Sequence, residues 1–242
     1  MRLIKTGVPG MDDVFNGGIR EGSSVLLTGG PGTGKTILAL QFIYEGIKNK
    51  EPCVYITSEE NADSLRKYAK EIGIDLEKHE DGILEIFEQD LTSKKIISLE
   101  EPLNAIKKKG VRRIVLDSLT LFEYVYYESN IEFRKGVLEF LRHAKRMGAT
   151  LLSTSERLTL NIDDIRFSAQ DFLFEGLIHL TMIRKGSSFE RVIHVGKMRG
   201  QSHKLDMFPI LINEKGMSVH TSELPFSVLE QDAKNKKGRQ KQ

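Results

Sequence analysis

The chain has one cysteine, Cys53, so no intrachain disulfide can form. It sits in the apolar run "CVYIT", where a small thiol reads as core rather than as a reactive group. No apolar stretch approaches the roughly 18–20 residues that a membrane-spanning helix needs, and the opening "MRLIKTGVPG" lacks the apolar segment of a secretory signal. The expectation is a soluble, cytoplasmic protein with no membrane association. Repeats at solenoid or propeller periods are absent, and so is low-complexity sequence before the last dozen residues. There is also little net charge. The total is +2, and the end "QDAKNKKGRQKQ" alone carries Lys234, Lys236, Lys237, Arg239 and Lys241 against Asp232. The rest of the chain is therefore slightly acidic, and nothing in the balance marks it as a nucleic-acid binder.

What is present is enough for one large domain. With 242 residues and 39% hydrophobic content, residues 1–230 read as a single α/β unit, followed by a polar, basic tail over 231–242 that reads as disordered. Periodicity gives a strand at "SVLLTG", a helix over "KTILALQFIYEGIKN" and a second strand at "CVYITS". Spacing that short fits a βαβ unit with parallel strands. A helix capped by Asn61 and stopped at Gly73 follows, then strand "GILEIFEQ", a helix around Pro102, and strand "RRIVLDS". Next comes a long amphipathic helix with Phe133, Val137, Phe140, Leu141 and Ala144 on one side, ended by Gly148, and a strand at "TLLSTS". The last third changes character. The runs either side of "RKGSS" and of "NEKG" read as two hairpins, so a mostly parallel sheet flanked by helices is extended by antiparallel strands.

The stretch "GGPGTGKT" carries the chemistry. Gly29-x-x-x-x-Gly34-Lys35-Thr36 is the phosphate-loop pattern, and a strand before it and a helix after it are the context that pattern requires. Glycines let backbone N–H groups converge on phosphate oxygens, the helix offers its positive end, and Lys35 can reach the outer phosphates. Gly30, Gly32, Thr33, Gly34, Lys35, Thr36 and Ile37 are the candidate nucleotide-binding residues, with Thr36 supplying a hydroxyl to Mg²⁺. Asp117, closing the strand "RRIVLDS", is the second candidate metal-supporting group. Glu59 and Glu60 follow the strand after the phosphate-loop helix, at the end where an open parallel sheet collects its ligands. Two carboxylates side by side, partly buried, are suited to general-base work on a water, with Glu59 as base, Glu60 in support and Lys35 on the phosphates.

These residues carry a resemblance. "TGVPGMDDVFNGGIREGSSVLLTGGPGTGKT", then "YITSEE", "IVLDS", "STSER", "EGLIHL" and "KMRGQSH", together resemble the KaiC family of RecA-like ATPases from about Thr6 to Val219. The resemblance implies a RecA-like core, ATP and Mg²⁺, and self-association into a ring, commonly a hexamer, with ATP held between subunits. It implies that the paired glutamates are the catalytic carboxylates. It also implies that Lys197, Met198, Arg199 and His203 contact the neighbouring subunit's nucleotide. On a strand, Lys197 and Arg199 share one face and Met198 takes the other. The family's clock proteins carry two tandem copies of the domain, whereas this chain has one. The region after "LDSLTLF" reads "EYVYYESNIEF", without the adjacent Ser-Thr pair that accepts phosphate in the clock protein, and Ser129 is the nearest candidate. Autophosphorylation is therefore not expected.

The expected function is a ring-forming regulatory ATPase acting on an unidentified protein partner. Two other readings stand beside it: a nucleic-acid-dependent motor, suggested by the RecA-like core, the basic tail and a stacking role for Tyr124, Tyr126 and Tyr127, and a nucleotide-bound scaffold with negligible turnover. Nucleic acid is the less favoured partner, because no additional DNA-binding segment is recognisable.

Overall fold

The structure, a computed structural model, describes residues 2–80, 82–89, 102, 104, 110–120, 123, 130–157, 168 and 170–225. Most of the helix expected around Pro102 lies outside the described residues, as do Tyr124, Tyr126, Tyr127, Ser129 and the basic tail. In chain order the elements are β1 (Leu3–Ile4), α1 (Met11–Val14), β2 (Ile19–Arg20), β3 (Ser24–Gly29), α2 (Lys35–Lys48), β4 (Cys53–Thr57), α3 (Ala62–Glu71), β5 (Leu84–Glu88), β6 (Arg113–Asp117), α4 (Asn130–Arg146), β7 (Thr150–Glu156), β8 (Gly176–Lys185), β9 (Ser188–Met198), β10 (Phe208–Asn213) and β11 (Gly216–Val219).

Among the described residues nine strands form one sheet in the order β11-β10-β9-β8-β3-β7-β6-β4-β5, and β1 and β2 make a separate ribbon. From β8 to β5 every neighbouring pair is parallel, while β9, β10 and β11 run antiparallel. The expected late hairpin is there, but its first strand, β8, also joins β3 in parallel, so the hairpin is welded to the phosphate-loop strand rather than appended at an edge.

The continuous apolar runs are explained by helices on both faces. Alternate residues of each strand feed opposite layers. Val25, Leu27, Tyr55, Val115 and Leu152 pack with Leu38, Phe42 and Ile43 of α2, whereas Leu26, Val54, Ile56, Ile114, Leu116 and Leu151 pack with Phe133, Val137, Phe140, Leu141 and Ala144 of α4. At the start of α3, Asn61 Oδ1 accepts the Ser64 N–H at 2.8 Å, as the capping pattern predicts. Among the described residues no helix is long and apolar enough to cross a membrane.

The layer on the α2 side contains a charge that periodicity did not reveal. Arg113, at the head of β6, is 1% exposed. Its Nε donates to Glu51 at 2.6 Å, its Nη1 donates to the carbonyls of Lys5 (2.7 Å) and Phe42 (3.0 Å), and its guanidinium lies over the Phe42 ring. The pair ties the N-terminal segment, the end of α2 and β6 together. Gly46 makes room for it, since a Cβ there would come within 2.6 Å of Arg113 Cδ and 2.7 Å of Cys53 Sγ. Cys53 is 2% exposed, and burial pushes its thiol up to about 12, which keeps it protonated.

Removing one member of a buried ion pair strands the other, at a cost of about 3–5 kcal/mol. Glu51→Ala is expected to lower unfolding stability by that amount in a denaturant titration. Replacing Glu51 and Arg113 together by apolar residues of similar volume should recover most of it.

Candidate functional site

All the sequence-derived site residues of β3, β4 and β6 lie at the carboxyl ends of parallel strands, where the sheet's backbone pairing stops and polar groups can gather. Between β3 and α2 the chain reverses through Gly32 and Gly34, both with left-handed φ (74° and 101°). A Cβ on Gly34 would meet Met217 Cε at 2.6 Å and Ile212 Cδ1 at 2.7 Å, side-chain ends that can shift, and it is the left-handed φ that calls for glycine beneath the second hairpin. Thr33 Oγ1 donates to the Gly30 carbonyl at 2.7 Å, closing the turn. Lys35 is only 8% exposed, and its Nζ donates to the carbonyls of Gly29 (3.0 Å) and Gly30 (3.2 Å). Ile37, one turn along, packs on the core.

Asp117 is the hub. Its Oδ2 accepts from Thr36 Oγ1 at 3.0 Å and from Tyr55 Oη at 2.7 Å, and its Oδ1 accepts from Thr154 Oγ1. The two residues expected to support a metal are thus brought into contact. Burial, then the neighbouring Asp117, holds the Tyr55 hydroxyl well above its ordinary range, so it remains a donor.

The two glutamates part ways. Glu59 accepts from Ser118 Oγ, beside Asp117, and burial of its carboxyl raises its pKa; the Ser118 bond opposes this, while the charges of Asp117 and Glu156 add to it. Glu60 turns along α3, with Tyr68 Oη donating to its Oε1 at 3.5 Å, and its backbone carbonyl accepts from Thr57 Oγ1. Glu59 alone of the pair is turned toward the strand ends that carry Asp117 and Lys35.

Lys197, Met198 and Arg199 are elsewhere. Leu177 pairs with both Leu26 and Lys197, and Arg199 N–H donates to the Glu175 carbonyl, which places this segment level with the start of β3. At about 3.3 Å per residue that is roughly 10 Å down the sheet from Gly29 for Lys197 and roughly 17 Å for Arg199. Lys197 Nζ donates to the Asp171 carbonyl and Arg199 Nη2 to that of Phe172 at 3.2 Å. Burial and the neighbouring Arg199 push the Lys197 ammonium down. Met198 is 6% exposed and belongs to the core, and His203 Nδ1 lies 3.0 Å from the Lys204 carbonyl.

Sequence reasoning assigned no role to Tyr55, Ser118, Thr154, Glu156 or His179. For the β7 residues a signal existed: "STSE" is a polar end to an otherwise apolar strand. Glu156 stands 4.0 Å from Lys35 Nζ. On β8, His179 Nδ1 meets Thr28 Oγ1 at 2.6 Å and its ring stacks on His194, with centroids 6.1 Å apart. Burial, aided by Arg157 and His194, pushes His179 down to about 4.

A sheet of this order, with a glycine-rich turn and lysine at the end of β3, an acid two strands away and another on the strand beyond, defines a RecA-like α/β fold carrying a phosphate loop. Residues 4–223 match the family described as "ATPase: KaiC", and the chain belongs to that family. It is 31% identical over 227 residues to the circadian clock oscillator protein KaiC of Synechococcus elongatus, covering 89% of this chain and 44% of that protein, so it spans less than half of the clock protein's length. A UPF0273 protein of Pyrococcus furiosus is 30% identical over 244 residues, covering 93% of this chain and 96% of that one. Among solved structures, the KaiC-like protein PH0186 of Pyrococcus horikoshii superposes with a TM-score of 0.75 at 34% identity, covering 90% of this chain and 99% of that one.

The depressed His179 has a consequence for stability. Below its ordinary pKa of about 6.5 an unfolded chain takes up a proton that the native ring refuses until about pH 4. Stability therefore falls as pH drops through that window, by up to about 1.4 kcal/mol per pH unit for this one group. His179→Gln should flatten the slope between pH 6.5 and 4 in thermal melts.

Proposed function

We propose that the chain binds ATP with Mg²⁺ at the β3–α2 loop and hydrolyses it, with the nucleotide sandwiched between protomers of a ring, as a hexamer or a ring of similar size. The observation that carries the reading is the convergence of Lys35, Thr36, Asp117 and Glu59 on one end of the sheet while Lys197 and Arg199 sit at the other. That separation supports a role for the two cations at a neighbouring protomer's phosphate rather than at their own. His203 and the backbone at Met198 belong to the same edge.

The donor set fits magnesium. Thr36 Oγ1 and an Asp117 carboxylate oxygen already face each other at 3.0 Å, and one hydroxyl with one carboxylate matches an ion that keeps waters and takes its remaining ligands from phosphates. Among the described residues no cluster of three or more His, Cys, Asp or Glu side chains offers an all-protein cage. When bound, the ion neutralises charge on the outer phosphate oxygens.

The remaining work falls to the protein. Backbone N–H groups of Gly30, Gly32, Thr33 and Gly34 orient the phosphates, and Lys35 leaves its two carbonyls for the outer phosphate oxygens. Glu59, its pKa raised by burial, accepts a proton from the attacking water, with Glu60 second in line. The oxygen of that water bonds to the terminal phosphorus as the bond to the ADP oxygen breaks, giving ADP and phosphate. Ring closure around the nucleotide couples turnover to subunit contacts, which is how such a ring would regulate a protein partner in the cytoplasm.

Lys35→Ala is expected to abolish binding of a fluorescent ATP analogue; unchanged affinity would remove the basis of the reading. Glu59→Gln should keep binding while lowering turnover by about two orders of magnitude or more, with a smaller effect from Glu60→Gln. Arg199→Ala should leave the isolated chain folded yet reduce the Mg-ATP-dependent increase in solution mass, read by light scattering, or the turnover that accompanies it.

A further inference from the structure

Among the described residues at the site, Glu156 is an acid to which the hydrolysis scheme gives no work. It closes β7 directly beside the phosphate-loop strand, in register with Gly29. Its backbone is fixed on both sides: its own N–H donates to Thr120 Oγ1 at 2.7 Å, and the following Arg157 N–H donates to the Gly29 carbonyl at 3.1 Å. The side chain is 45% exposed, and Oε1 approaches Lys35 Nζ at 4.0 Å. Its charge is also felt at Glu59, the acid that follows β4, the next strand but one. A carboxylate thus stands on the cation that would receive the outermost phosphate of a bound nucleotide.

We propose that Glu156 competes with the terminal phosphate for Lys35, weakening ATP relative to ADP and taking the lysine back when phosphate departs. The inference rests on the nucleotide reading above. When a triphosphate enters, Lys35 exchanges one anion for another, and Glu156 is left facing a terminal phosphate of like charge. A diphosphate lacks that group and meets the repulsion at longer range. After hydrolysis the freed phosphate and Glu156 repel, and the carboxylate restores the 4.0 Å pairing with Lys35. Glu156 is therefore a positioning residue, acting through Lys35 and not on the reacting atoms.

The test is equilibrium binding of ADP and of a non-hydrolysable ATP analogue, each with Mg²⁺, to the full chain and to Glu156→Gln, at low and high salt. A partly exposed charge pair contributes on the order of 1 kcal/mol, so the variant should bind the triphosphate about fivefold tighter and ADP less than twofold tighter. Because the effect is electrostatic and solvent-accessible, the gain should shrink as salt rises from about 0.05 M to 0.5 M. Equal changes for both nucleotides, a weaker triphosphate, or a gain insensitive to salt would each overturn the proposal. If the unaltered chain binds neither nucleotide, the nucleotide reading itself fails and this inference falls with it. If that chain binds both and the variant shows no selective gain, only the role of Glu156 is lost.

Discussion

A parallel sheet covered on both faces can carry polar chemistry only where its strands end. Within β3, β4 and β6 the interior residues Val25, Leu26, Tyr55, Ile56, Ile114 and Val115 are fully buried, and their backbone groups are consumed by neighbouring strands. Past Gly29, Thr57 and Asp117, the last residues of these strands, the chains leave the ladder. The phosphate loop, the Asp117 hub and Glu59 converge because this is the only rim the parallel core leaves open at that end. Side chains that intrude further in, such as Thr28, Thr154 and His179, do so with partners, and the cost is visible in the depressed His179.

The same constraint explains why Arg113 sits where it does. At the opposite rim, β6 begins beside the end of α2, and a cation there can hold three chain segments by hydrogen bonds to Lys5, Phe42 and Glu51. A buried pair of this kind adds little net stability over apolar packing.

Much of this was legible in the residues themselves. The phosphate loop, Asp117, the paired glutamates and the two late hairpins are local patterns, and each occupies the element expected of it; the strands and helices alternate as expected wherever the residues are described. Asn61 caps its helix, Gly148 follows the last turn of α4, and Cys53 is core. What was not legible involves partners far apart in the chain. Glu51 and Arg113 are 62 residues apart, and Thr28 and His179 are 151 apart. Neither pairing leaves a mark on either segment alone. The paired glutamates likewise read as equivalent in sequence, and only packing turned Glu59 toward Ser118 and Glu60 toward Tyr68.

The sequence by itself determined the element types and the loop chemistry, because hydrophobic period, capping and glycine spacing act over a few residues. The tertiary structure decided which side chains share a cation or a proton. It put Glu156 on Lys35, three hydroxyls on Asp117, and Lys197 with Arg199 at the far end of the sheet. Electrostatic interactions fall off over a few ångströms, and only the order and register of the strands set distances on that scale.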